Sequence, residues 1–286
     1  MQASEPEAID NSSTVADIMR LLVCSDLRKS LVLSLQKGPS SLADLRNETG
    51  ASSTAAIHAL RELEREHLTH ENEKRQYALT NVGKIIALKL EDLAKTIGVL
   101  NAHSAFWLEH DLSDIPDTFL QTFGSLHESY LVTSTATDVT KVFETFVTFL
   151  DNSREVKGLS PVFFPELITT FVRLVSKGVK SELIVTRPVL DKILELSDVD
   201  ELKQACTKTL KLRVTKQSPN IAFTVTDYFL SVGLFRRDGM YDAQSDLLSY
   251  SEEALDWGRK LFDYYVSLSD PVVFGNDVKG GQSAAD

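Results

Sequence analysis

Cysteine is nearly missing from this 286-residue chain, which has only Cys24 and Cys206. They stand far apart in helical patterns, which excludes a disulfide framework and metal-ligand spacing and leaves small buried side chains as the expectation. No apolar run approaches the roughly eighteen residues that a membrane span needs, and no charged-then-apolar leader opens the chain. A cytoplasmic protein without membrane contact is therefore expected. Glycine-rich phosphate loops and paired-histidine metal motifs are also missing, so neither a cofactor nor a metal is assigned. A basic excess is lacking too: the net charge is −11, which would ordinarily argue against nucleic acid as a partner.

The acidity is unevenly placed. From Asp17 to Ser104 there are 12 Lys/Arg and 11 Asp/Glu, a net of +1, whereas Ala105 to Asp286 carries −9. A near-neutral segment still binds DNA if its basic residues gather on one side, and Arg28, Lys29, Arg46, Arg61, Lys74 and Arg75 are the candidates. With 43% apolar residues, the chain has enough for two domains with real cores.

Between Gly38 and Thr80, two short helical patterns meet at a glycine and a polar hairpin follows. Leu42 and Leu45 give the first helix an apolar face. Gly50 falls where a tight turn between crossed helices needs a positive φ. Ser52 is placed to cap the second helix, its hydroxyl accepting an orphan backbone N–H. In that helix Ala56, Leu60 and Leu63 share one side, while Ser53, Thr54, Ile57, His58 and Arg61 share the other. A polar-to-basic face that starts at a cap is what enters a major groove. Ser52, Ser53, Thr54, Ile57, His58 and Arg61 therefore form the candidate DNA-reading set, with Arg61 first for a base contact and His58 second. Residues 68–71 and 75–79 read as the hairpin strands, and Lys74 and Arg75 at the tip are placed to reach phosphates.

The package of Thr49-Gly50-Ala51-Ser52, Leu60-Arg61-Glu62-Leu63-Glu64 and Leu79-Thr80 with Gly83 resembles winged-helix regulators of the ArsR and MarR kind. The resemblance implies double-stranded DNA as a partner. An alternative use of such a unit is a protein–protein interaction module without DNA reading, which Glu62, Glu64, Glu66, Glu71 and Glu73 favour.

Two long helices flank this unit. Val15 to Leu35 reads as one helix with Ile18, Leu22, Leu31 and Leu35 inward, stopped by Lys37-Gly38-Pro39. Thr80 to His103 reads as another, capped by Thr80. Its Ile86, Leu90, Leu93, Ile97 and Leu100 recur at spacings of four and three, the seam of two helices packing along their length. A homodimer through that seam is expected, because two DNA half-sites need two readers. A helix lying on its own domain gives the same spacing.

Beyond His103 an aromatic connector, Ala105 to Pro116, leads into alternating strand and helix patterns from Ser129 onward, and Phe106 and Trp107 are expected to touch both domains. The alternation predicts a mostly parallel sheet covered by helices. His110 beside Asp111 reads as a polar contact at the junction. The fold class is thus α+β and multidomain, an N-terminal winged helix-turn-helix joined to a C-terminal α/β sensor-like domain. The expected divisions are a disordered start at 1–13, the DNA-binding domain at 14–104, a connector at 105–128, the effector domain at 129–269 and a flexible tail at 270–286.

The second half carries Phe106-Trp107-Leu108-Glu109-His110-Asp111-Leu112, Lys157-Gly158-Leu159-Ser160-Pro161, Phe223-Thr224-Val225-Thr226-Asp227, Leu234-Phe235 before Asp238-Gly239, and Tyr241-Asp242. These residues resemble the methanogen helix-turn-helix regulators whose effector domain is linked to methanogenesis and filament formation. The resemblance spans roughly Val15 to Leu268 and implies a transcriptional regulator. Val156 to Val185 is also similar to the phospholipase-D-like sensor half of archaeal sugar-responsive regulators. That chemistry needs a histidine two residues before a lysine, and none of the six histidines has one. No catalytic residue is assigned, and a non-enzymatic sensor of a small-molecule effector is expected. Ligands of open α/β sheets sit beyond the carboxyl ends of parallel strands. Ser134, Ser160, Thr186 and Asp227 stand at such predicted ends and are the candidate ligand residues, although each also suits a turn residue bonding its own backbone.

Overall fold

The computed structural model describes residues 14–274. The disordered start expected at 1–13, and the part of the expected tail from 275 onward, lie outside the described residues. The chain divides between Ala94 and Lys95 into two compact units.

The first unit contains α1 (Val15–Val23), α2 (Asp26–Gln36), α3 (Leu42–Thr49), α4 (Ser53–Arg65), β1 (Thr69–Glu71), β2 (Tyr77–Leu79) and the start of α5 (Asn81–Ala102). The single helix expected over Val15 to Leu35 is two. Ser25 adopts an extended backbone and caps α2, its hydroxyl accepting from the Arg28 N–H at 3.4 Å. Arg28 Nε in turn donates to the Leu21 carbonyl at 2.6 Å, satisfying a group that the end of α1 leaves open. Leu31, Leu45, Leu60, Leu63 and Leu68 fill the core of this unit. Gly50, at φ 69°, ends α3 in the left-handed region and turns the chain into α4. β1 and β2 pair antiparallel in the register Thr69↔Leu79, and Ser40 bridges Tyr77 on the outer edge. The tip is held by Asn72, whose Oδ1 accepts from the Lys74 and Gln76 N–H groups at 3.0 Å each. Thr80 caps α5 by accepting from the Gly83 N–H at 2.9 Å.

The second unit begins in α5 and continues through α6 (Ser104–Glu109), α7 (Asp117–Leu120), β3 (Tyr130–Thr133), α8 (Lys141–Asp151), β4 (Glu155–Ser160), α9 (Pro165–Ser176), β5 (Lys180–Thr186), α10 (Arg187–Leu196), α11 (Val199–Lys208) and β6 (Leu210–Thr215). β7 (Ile221–Thr226), β8 (Leu230–Leu234), β9 (Ser245–Ser249), α12 (Glu252–Ser267) and β10 (Ser269–Pro271) complete it. The sheet order is β10-β6-β5-β4-β7-β8-β9-β3. The mostly parallel sheet expected from the sequence is corrected: only β4–β5 and β5–β6 run parallel, and the other five neighbouring pairs are antiparallel. The connections account for part of this: helical crossovers join β4, β5 and β6, whereas a tight turn joins β7 to β8 and a longer loop without a helix joins β8 to β9.

Two further expectations change. Phe106 and Trp107 are buried in the core of this unit, and the Trp107 indole donates to the Val99 carbonyl at 3.0 Å. The Trp257 indole reaches the Phe119 carbonyl at 3.1 Å, so the stretch read as a connector is part of this core. At the other end, Asp270 and Pro271 pair with Val214 and Arg213 on the sheet edge. Arg213 anchors them by donating from Nε to Ser269 Oγ at 2.8 Å and from its terminal nitrogen to the Ser269 carbonyl at 2.7 Å. The expected flexible tail therefore starts with a strand.

Candidate nucleic-acid interface and effector cavity

Ser52 caps α4 by accepting from the Ala55 N–H at 3.2 Å. Ala56, Ala59, Leu60 and Leu63 point inward from that helix. Ser53, Thr54, His58 and Arg61 are exposed on its outer side, Ile57 is half-buried, and Lys74 and Arg75 are exposed at the hairpin tip. Arg75 itself takes φ 57°, which turns the tip. Not every candidate cation stays on the surface. The Arg28 guanidinium is drawn to Glu62 at 2.7 Å, and Lys29 pairs with Asp26 at 2.7 Å. Arg46 Nε donates to the Ala51 carbonyl at 3.4 Å and braces the turn before α4. His58 Nδ1 also lies 3.6 Å from the Glu62 carboxylate.

The seam expected along α5 is split. Leu90 is buried and Ile86 half-buried against the first unit's core, so these two serve the fold. Leu93, Ile97 and Leu100 are exposed, at 43%, 48% and 37%. The spacing of four and three suits either use, which is why the pattern did not separate them.

The candidate ligand residues are not brought together. Ser134, Ser160 and Thr186 end strands that point the same way, whereas Asp227 follows β7, which runs opposite to β4. Asp227 instead accepts from the Arg154 and Glu155 N–H groups at 2.8 and 3.4 Å, closing the amino end of β4. Ser134 Oγ accepts from the Val142 N–H at 3.5 Å, and Ser160 Oγ donates to the Val162 carbonyl at 2.7 Å. Thr186 is buried at the start of α10. Of the four, Ser160 lines a cavity.

That cavity, of about 1150 Å³, lies between one face of the sheet and α8, α9, α10 and α11. Strand alternation builds its floor. On β7 and β8, Phe223, Val225, Leu230 and Val232 enter the core beneath α12, so Thr224, Ser231 and Gly233 face the cavity. Gly158, Thr224 and Ser231 are directly opposite one another across three strands. These small residues leave open volume where larger ones would fill it. Gly233 is needed for a close approach, since a Cβ there would meet the Tyr241 hydroxyl. Asp246 also lines the cavity, and the Ser231 hydroxyl donates to its Oδ2 at 2.7 Å. Its Oδ1 is buried with no hydrogen-bond partner among the described residues. Burial pushes the Asp246 carboxyl up to about 7, against the opposing hydrogen bond from Ser231. The sequence carries a trace of this floor in the alternation Leu230-Ser231-Val232-Gly233-Leu234, with small residues at every second position.

His110 pairs with Asp242, not with its neighbour Asp111. Its Nε2 lies 3.2 Å from Asp242 Oδ2 and its Nδ1 lies 2.6 Å from the Phe106 carbonyl. Burial alone would raise the Asp242 carboxyl. Hydrogen bonds from Ser245 and the Gln244 N–H, with the Arg236 guanidinium, outweigh it and hold the group below the ordinary range. Both partners of His110 are therefore accounted for by the fold of this unit. Among the described residues no cluster of three or more His, Cys, Asp or Glu side chains is arranged to hold a metal, and no helix is long and apolar enough to cross a membrane.

Comparison with known proteins agrees with the division into units. Residues 16–98 match the family described as the N-terminal domain of methanogenesis regulatory protein FilR1, and residues 139–268 match that protein's middle domain. A curated relative, methanogenesis regulatory protein FilR1 of Methanothrix harundinacea (strain 6Ac), is 28% identical over 255 residues, which is 88% of this chain. The chain spans 57% of that relative's length. Among solved structures, TrmBL2, an archaeal chromatin protein, is 14% identical with a TM-score of 0.42, covering 90% of this chain and 99% of its own. An IclR transcriptional regulator from Alicyclobacillus acidocaldarius is 12% identical with a TM-score of 0.24, covering 83% of this chain and 93% of its own. Structural likenesses this weak carry no inference about activity. The chain thus carries, in that order, segments matching the N-terminal and middle domains of the FilR1 family, which between them take in most of its length.

Proposed function

We propose that the chain is a sequence-specific DNA-binding transcriptional regulator whose α/β unit senses a small ligand or partner and modulates promoter binding. The observation that carries this reading is the outer face of α4. Ser53, Thr54, His58 and Arg61 stand exposed over an apolar underside, on a helix that starts at a cap just after the left-handed Gly50. In this reading Arg61 and His58 meet base edges in the major groove, and Lys74 and Arg75 hold phosphates beside it. A homodimer supplies two readers, with Leu93, Ile97 and Leu100 taking part in its contact. The second unit does no chemistry. A ligand in its cavity acts through differential affinity for the DNA-competent arrangement, typically a coupling of about 1–3 kcal/mol.

The test is a mobility-shift titration on promoter fragments at several salt concentrations. Arg61→Ala is expected to lose about 1–3 kcal/mol on the preferred fragment and to relax the preference. Lys74→Ala should weaken binding alike on all fragments and flatten the salt dependence. Unchanged affinity and preference in Arg61→Ala would overturn the docking. No shift on any fragment at low salt would leave the protein-interaction module as the better reading.

A further inference from the structure

We propose that the cavity of the second unit takes a ligand bearing a protonated amine on an apolar body, and that Asp246 receives the amine. The inference rests on the reading of this cavity as the effector site and adds the chemical class of the effector.

Asp246 supplies the first reason. It is 6% exposed, it lines the cavity, Ser231 and the backbone N–H groups of Leu247 and Val232 favour its charged form, and its Oδ1 is left without a well-formed hydrogen bond among the described residues. A buried carboxylate oxygen without a partner is costly, and the group best suited to satisfy it is a donor carrying positive charge. The small residues Gly158, Thr224 and Ser231 leave room on the same cavity floor, while Tyr241 covers Gly233.

Aromatic side chains supply the second. The rings of Phe143 and Phe164 lie 6.0 Å apart, and those of Phe164 and Tyr241 lie 5.9 Å apart, all three lining the cavity. Aromatic faces attract a desolvated cation through the ring quadrupole and also receive an apolar body. Tyr241 is close enough to Asp246 for the carboxylate to raise its hydroxyl pKa, after burial. The ring and the acid therefore belong to one part of the cavity.

Charge supplies the third. Glu144, Glu166, Asp198 and Glu201 line the cavity together with Asp246, against Lys208 as the one basic lining residue among the described residues. An anionic ligand would enter against this field, while a cationic one is drawn along it. A neutral alcohol on the same apolar body would satisfy Asp246 Oδ1 and pack on the rings, but would gain nothing from the acids or from the ring quadrupoles.

The test uses the full chain and three probes that share one apolar body: 4-phenylbutylamine, 4-phenylbutanol and 4-phenylbutyrate. Each is titrated calorimetrically into the wild type and into Asp246→Asn, with the fold of the variant checked by circular dichroism. The wild type is expected to bind the amine at least about tenfold tighter than the alcohol and to take the carboxylate weakest. Asp246→Asn should bring the amine to the level of the alcohol. Alcohol or carboxylate binding to the wild type as tightly as the amine would overturn the amine class while leaving the cavity as a ligand site. Failure of all three to bind the wild type would overturn the cavity reading and this inference with it. The comparison within the wild type decides the question even if the variant does not fold.

Discussion

Asp246 ties the stability of the second unit to pH. Its folded carboxyl keeps a proton up to about 7, whereas the unfolded chain releases one near the ordinary carboxylate value, about 4. Between those values the unfolded state binds fewer protons, so stability falls as pH rises, by up to about 4 kcal/mol, and levels off above the folded value. Asp246→Asn, which keeps the shape of the neutral acid, should remove most of that slope. Urea denaturation at pH 5 and pH 8 measures it, and the wild type should lose more stability across the interval than the variant. Equal losses would mean that the carboxyl is not held protonated. In the first unit the acid at the centre of several contacts is Glu62. It draws in Arg28 at 2.7 Å and approaches His58, so one acid both ties α2 to α4 and lies beneath the exposed reading face.

At the level of elements, the turn between α3 and α4 fixes how the exposed face of α4 is presented. Gly50→Ala forces a side chain into the left-handed region at a cost of about 1–2 kcal/mol, read as a lower melting temperature of the variant. A melting temperature equal to the wild type would show that the turn tolerates other backbone angles. This part of the chain was legible beforehand because its signals are local. A glycine, a capping serine and an apolar period each act within a few residues, and Ser52 and Thr80 cap α4 and α5 as their positions suggested, accepting from the Ala55 and Gly83 N–H groups at 3.2 and 2.9 Å. The break at Ser25 was signalled by a change of phase: Leu22 and Leu31 are about two and a half turns apart, so one continuous helix could not turn both inward. Strand direction was not legible. Periodicity reports which residues face inward, and it says nothing of the sense of β7, β8 and β9, which are joined without a helical crossover. The cavity floor depends on register between strands distant in sequence, as with Gly158 opposite Thr224, so its residues converge only in the folded sheet.

For the whole molecule the account requires two reading faces acting together. Leu93 and Ile97 stand exposed on α5 with no role in the core clusters, in contrast to Leu90. Leu93→Glu with Ile97→Glu should lower the mass seen by light scattering from dimer to monomer and weaken DNA binding in parallel, because each half-site is then held alone. A dimer of unchanged mass would move the contact to another surface. Underneath this lies the claim that α4 reads sequence at all. The most direct measurement is selection of bound fragments from a random duplex pool by the purified wild-type chain, with the enriched sequence retitrated beside a scrambled one at physiological salt. The account predicts an enriched motif bound at least about a thousandfold tighter than its scramble, as specific readers do. A pool that emerges without enrichment, or a scramble bound equally well, would contradict it.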